Sequence, residues 1–340
     1  GGEAASALLR GAPALECLEL PGNRSLLDTG VQALASGMPD GTSLTALDLG
    51  ECGLRSASGG QAVAALLAKA PDLKRLALAD NRDLNALGTS TLARGLPPAN
   101  VLQSINLGRC GLSDASGGRA LADIVAHAGH LESLHASENR LSNEGVVAFA
   151  EGLPARALPL SELSLCECGV RGGAALSKVL GRCPALTSLS LSCNEDLGNS
   201  GLAVLSEALA RMPSCLMRTL QLRACGLDGE QGGAAVAAAL AAAPRLQNLD
   251  LSGNRFLAAA GVAALAGGLC AQEERGRRDG TGLRSLDLGQ CGLEGEDGGC
   301  AVAVVLQSFP FLEELRLASN WGFSTPGAER LAAELAAAGS

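Results

Sequence analysis

One register constrains this chain more than anything else in it: Leu-x-x-Leu-x-Leu-x-x-(Asn or Cys), written eleven times. A fixed period closed by a recurring polar residue specifies a stack of like units, because each unit can bury its apolar face only against its neighbours. The closing residues are Asn23, Cys52, Asn81, Cys110, Asn139, Cys168, Asn194, Cys225, Asn254, Cys291 and Asn320, with asparagine and cysteine alternating throughout. Seven of the ten steps between them are 29 residues, and the others are 26, 31 and 37.

Each period holds a strand and a helix. Segments such as Leu44–Leu49 and Leu283–Leu288 alternate apolar and polar residues at period two, which predicts a short strand with one buried face. Segments such as 60–69 and 201–210 carry apolar residues at helical spacing among strong helix formers and stop at Ala-Pro or Met-Pro. Strands stack at about 4.8 Å and helices at about 8 to 10 Å, so strands are expected on the inside of a curve. The chain leaves each strand where regular hydrogen bonding ends, and buried backbone groups there need partners. Asparagine offers a donor and an acceptor; cysteine offers a small, weak donor. Gly53, Gly111, Gly169, Gly226 and Gly292 follow the ladder cysteines, as a sharp bend requires.

The 28-to-29-residue period and the strict alternation of Asn-x-x-Leu with Cys-Gly-Leu repeats resemble the ribonuclease-inhibitor-like class of leucine-rich repeats, from about Leu15 to Leu335. The resemblance implies an α/β fold: a right-handed leucine-rich-repeat solenoid, or horseshoe, with a concave parallel sheet and convex helices in about eleven repeats. It implies a binding scaffold without an enzyme's reaction. The class also contains activators of small GTPases and the ligand-sensing repeat domains of NLR-type innate-immune receptors, two alternative functions.

An unbroken repeat reads as one elongated domain over residues 1–340, with a partial repeat at 1–14 and a polar insertion loop at 270–282. The ends read as those of a fragment of a longer protein. The net charge of -9 argues against nucleic acid, and no apolar run is long enough for membrane insertion. The twelve cysteines fit reduced buried thiols better than a disulfide framework, which makes the cytoplasm, or the nucleus, the expected location.

Repeat positions 3, 5 and 7, with 2 and 8 at the strand ends, are expected to face solvent on the concave side. Position 8 runs Gly22, Glu51, Asp80, Arg109, Glu138, Glu167, Cys193, Ala224, Gly253, Gln290, Ser319, so four carboxylates flank one arginine in the first half. With Glu132, His135 and Glu162 these residues form a candidate partner-binding face for a protein with a basic surface. Neighbouring carboxylates such as Glu138 and Glu167 are expected to repel, and a cationic partner would relieve the repulsion. Asp48, Asp250, Asp287 and Glu313 add to the acidic count.

Other groupings are weaker. Arg24, Arg82, Arg140 and Arg255 follow ladder asparagines and read as solvated turn residues or as a basic rim for an anionic partner. Asn106, His135 and Ser164 share position 5 on successive strands with Cys166 nearby, yet an open sheet excludes no water and supplies no oxyanion hole, so no catalytic residues are assigned. The three histidines lack a ligand pattern, so neither a metal site nor a cofactor is expected. The Gly-Gly pairs at 59–60, 117–118, 172–173, 232–233 and 298–299 read as turns before helices. The single tryptophan, Trp321, falls on a turn, and the absence of aromatics from the concave positions argues for modest affinity there.

Overall fold

The computed structural model describes residues 11, 12, 14–273 and 282–338, in two compact units divided after Cys168. The partial repeat expected at 1–14 lies largely outside the described residues. So does most of the expected insertion loop, of which residues 270–273 continue a helix.

The first unit runs β1 (Cys17–Glu19), α1 (Leu27–Gly37), β2 (Ala46–Asp48), α2 (Ser56–Leu67), β3 (Arg75–Ala77), α3 (Asn85–Gly95), β4 (Ser104–Asn106), α4 (Asp114–His127), β5 (Ser133–His135), α5 (Ser142–Gly152) and β6 (Glu162–Ser164). The second runs α6 (Ala174–Arg182), β7 (Ser188–Ser190), α7 (Gly198–Ala210), β8 (Thr219–Gln221), α8 (Gly229–Ala242), β9 (Asn248–Asp250), α9 (Ala258–Glu273), β10 (Ser285–Asp287), α10 (Gly295–Ser308), β11 (Glu314–Arg316) and α11 (Thr325–Ala338). Within each unit every strand pairs in parallel with the next in sequence, in one repeating register that sets Leu47 beside Leu76 and Leu286 beside Leu315. This is the leucine-rich-repeat fold the spacing predicts.

The strand phase is as expected. Leu134, Leu163 and Leu165, at positions 4 and 6, are buried, whereas Ser133, His135, Ser137, Glu162, Ser164 and Cys166 at positions 3, 5 and 7 are half-exposed. Burying a leucine side chain contributes about 1.5 to 3 kcal/mol, and this row recurs in every repeat.

The ladder residues show why two residue types alternate. Asn139 Nδ2 donates to the Leu107 and Ala136 carbonyls, both at 2.8 Å. Its Oδ1 accepts from the backbone N–H of Cys110 at 3.1 Å and of Leu112 at 3.0 Å. Asn81, Asn254 and Asn320 repeat these four bonds, three to the cysteine repeat before them and one within their own repeat. A ladder cysteine does less. Cys168 Sγ donates to the Ala136 carbonyl of the preceding asparagine repeat at 3.2 Å, and Cys110, Cys225 and Cys291 make the same bond at 3.2 Å.

Four of the five Gly-Gly pairs require a correction; Gly172-Gly173 does lie before its helix, α6, as expected. Gly59-Gly60 lies inside α2, and the pairs at 117, 232 and 298 lie in the first turns of α4, α8 and α10. They are contact glycines, not turns before the helix. A Cβ on Gly118 would stand 1.9 Å from the Gly145 carbonyl oxygen of the next helix, and one on Gly60 would stand 2.0 Å from that of Gly88. Backbone meets backbone there, so no side chain fits. The contact joins each cysteine repeat to the asparagine repeat after it, the same pair that the asparagine clamps.

Candidate functional site

The position-8 residues leave their strands in a conformation the sequence reading missed. All eleven, from Gly22 to Ser319, have φ between 49° and 78°, the left-handed region. For a residue with a Cβ this costs about 1 kcal/mol, and only glycine avoids it. The chain uses glycine at just two of these places, Gly22 and Gly253. Those two glycines in the row were the signal available in the sequence.

In the first unit the row carries long charged side chains that pair along it. Arg24 Nε donates to Glu51 Oε1 at 2.9 Å, and Arg109 lies between Asp80, at 3.6 Å, and Glu138, with which it forms a salt bridge. These carboxylates raise the pKa of both guanidiniums, chiefly through the Glu51 bond to Arg24 and the Glu138 bond to Arg109. The repulsion expected of Glu138 is therefore met from within, since its carboxylate turns to Arg109. Glu132 and Glu167 are exposed and form no salt bridge among the described residues.

Between them lies a small polar cluster. Ser133 Oγ donates to Glu162 Oε2 at 3.0 Å and lies 2.9 Å from His135 Nε2, which is 3.7 Å from the same carboxylate. Ser133, absent from the sequence-derived candidates, ties two of them together. Strand register does align Asn106 with His135 and His135 with Ser164. Their hydrogen bonds nevertheless run elsewhere. Asn106 Oδ1 accepts from Gly108 N–H at 2.9 Å, and Ser164 Oγ pairs with Ser137 Oγ at 2.7 Å. The Ser133 hydroxyl proton points to a carboxylate, so the histidine is not set to take it.

Part of the acidic count is structural. Asp48, Asp250 and Asp287 each accept a backbone N–H two residues on, at 2.7, 2.9 and 2.8 Å, as Asn106 does. These side chains cap the ends of their own strands. On the exit edge, Arg24, Arg55 and Arg82 line a cleft of about 370 Å³ with Glu51, Asp80 and Asp83, three charges of each sign. Arg140 is exposed, and Arg255 lies over the Phe256 ring at 4.7 Å. No group of three or more His, Cys, Asp or Glu able to hold a metal ion occurs among the described residues.

Cys17, Cys52, Cys110, Cys166, Cys168, Cys183, Cys193, Cys215, Cys225, Cys291 and Cys300 carry thiols and not disulfides. Burial pushes Cys52 up to about 11 and Cys110, Cys168, Cys183 and Cys291 up to about 12. Among the described residues no helix is long and apolar enough to cross a membrane.

Comparison with known proteins agrees with this geometry. The leucine-rich-repeat family model matches residues 128–150 and 182–206. Mouse ribonuclease inhibitor is 32% identical over 318 residues, covering 92% of this chain and 66% of the inhibitor. Human NACHT, LRR and PYD domains-containing protein 12 is 34% identical over 269 residues, covering 76% of this chain and 24% of that protein. The chain thus spans less than two thirds of the inhibitor and about a quarter of the larger relative. The crystal structure of the leucine-rich-repeat-containing protein LegL7 from Legionella pneumophila superposes with a TM-score of 0.50 at 16% identity, covering 98% of this chain and 94% of that one, a likeness of fold. Period, ladder chemistry and these matches together make the chain a member of the ribonuclease-inhibitor-like leucine-rich-repeat family.

Proposed function

We propose that this chain is a non-enzymatic protein-interaction scaffold whose strand face in the first unit receives a protein partner with a basic surface. The observation that supports this most is the left-handed row. Glu51, Asp80, Arg109, Glu138 and Glu167 occupy backbone that glycine fills without strain at Gly22 and Gly253. Cys193, Ala224, Gln290 and Ser319 take the same backbone in the second unit, so what sets the first unit apart is that its side chains there are long, charged and solvent-facing, as a recognition surface needs. Arg109 neutralises the middle of the row, so the attraction for a cation falls on Glu132 and Glu167 and on Glu162 beside His135.

The test is affinity capture of partners by the wild-type chain and by the variant Glu132→Lys/Glu167→Lys. A partner bound through this face is lost from the variant, and its binding to the wild type weakens as salt rises. It is retained by Asp72→Lys/Glu329→Lys, exposed positions that give the same net charge. Equal loss from both variants would show general attraction and overturn the proposed site.

A second reading, the ligand-sensing repeats of a NACHT-containing receptor, is favoured by the 34% identity to the human protein. Nucleotide binding by the full-length protein would distinguish it from an inhibitor-type scaffold.

A further inference from the structure

The exit-turn edge of the second unit carries a surface that does not depend on the strand-face reading. Trp321, the only tryptophan, is 92% exposed, and Phe256 is 66% exposed. Exposure at Trp321 belongs to the position. Arg24, Arg82, Arg140, Glu195 and Arg255 occupy it in other asparagine repeats, each with a further repeat behind it, and all are exposed.

Three exit turns bring the two aromatics onto one edge. Gly292, after Cys291, lies against the Arg255 carbonyl, and Gly295 N–H donates to the Gly322 carbonyl at 2.8 Å. The Glu294 side chain packs directly on Gly322, beside Trp321. Glu296 and Asp297 follow in the first turn of α10. All three carboxylates are exposed, and none forms a salt bridge among the described residues.

An exposed indole on an edge that also carries exposed carboxylates, Glu296 among them lying near Arg330, suits a cation, and a planar guanidinium suits it better than an ammonium because it stacks and hydrogen-bonds at once. The same edge already shows this contact within the chain, where the Arg255 guanidinium lies over Phe256. Trp321 has no such cation over it among the described residues. We propose that this edge binds an arginine-containing basic segment of a partner, with a guanidinium on Trp321 and its charge met by Glu294, Glu296 and Asp297.

Because Trp321 is the sole tryptophan, its fluorescence reports this edge and nothing else in the chain. The probes are capped octapeptides alternating glycine with arginine, lysine or glutamate. The arginine peptide is expected to change Trp321 emission saturably, the lysine peptide to bind more weakly, and the glutamate peptide to have no effect. Glu294→Gln/Glu296→Gln/Asp297→Asn should weaken the arginine peptide about fivefold or more, and calorimetry on Trp321→Ala should show a similar loss. Glu132→Gln/Glu167→Gln on the strand face should change it less than about twofold, because those charges belong to the other surface. No saturable change, equal binding of the glutamate peptide, or equal weakening by the strand-face variant would each overturn the proposal. The strand-face reading survives all three outcomes, since its partner is tested by capture.

Discussion

Two kinds of junction alternate along this chain, and they are built to different strengths. From a cysteine repeat to the asparagine repeat after it, as from Cys110 to Asn139, an amide makes four buried hydrogen bonds, three of them across the junction, and two helices meet backbone to backbone at Gly118 and Gly145. From an asparagine repeat to the next cysteine repeat, as from Asn139 to Cys168, the ladder contribution is one thiol bond to the Ala136 carbonyl. Leucine rows and parallel pairing cross both junctions. The second kind of junction also brings backbone to backbone at its exit turn, where Gly111 lies against the Arg82 carbonyl, so the contrast is one of ladder and helix contacts, and on those the pair is the unit.

The largest test of this contrast is the ladder itself. Asn139→Ala strands two N–H groups and two carbonyls, each costing about 1 to 3 kcal/mol when buried and unpaired, so a loss of about 4 kcal/mol or more is expected in urea melts. Cys168→Ala removes one weak bond and little volume and should cost about 1 kcal/mol. Similar losses for the two would erase the distinction between strong and weak junctions.

Next is the helix contact. Gly118→Ala must push α4 from α5 and should cost about 3 kcal/mol. Gly181→Ala, in α6 with open space at its Cβ, should gain about 0.5 to 1 kcal/mol from helix propensity. Thermal melts of the two variants should move in opposite directions. A neutral Gly118→Ala would mean that the helices yield and the pair is not clamped on that side.

The smallest effect at neutral pH concerns the thiols of the weak junctions. Iodoacetamide on the native chain should label exposed Cys17 and Cys193 first and spare Cys52, Cys110, Cys168 and Cys291, as mass spectrometry would show. Their folded pKa values of about 11 to 12 lie above the ordinary value of 9.0, so the unfolded chain gives up these protons first. Stability should be unaffected by them below pH 9 and fall as pH rises from about 9 toward 12. Replacing these cysteines with alanine should flatten that fall.

Period, strand phase and ladder positions were legible in the sequence because they repeat, and repetition averages out the exceptions. The contact glycines were visible as pairs but assigned to turns. Their partners, such as Gly145, lie in a different repeat, and no local pattern announces an approach between helices. The candidate face was legible as a list and not as a circuit. That Arg109 would serve both Asp80 and Glu138, and that Asp48 and Asp287 would fold back on their own strands, depends on side-chain directions that position numbers do not carry.

The pairing of repeats also bears on how such a chain can change its length. Removing or duplicating one repeat would set two asparagines or two cysteines side by side and leave a contact glycine facing a helix that does not approach it. Removing or duplicating two together restores every neighbour. Of the irregular steps, those of 31 and 37 residues, which begin at Asn194 and Asn254, fall between pairs, whereas the 26-residue step from Cys168 to Asn194 falls within one. Length in this architecture should therefore vary in twos, in an engineered series as in a lineage, with about 58 residues as the smallest exchangeable module.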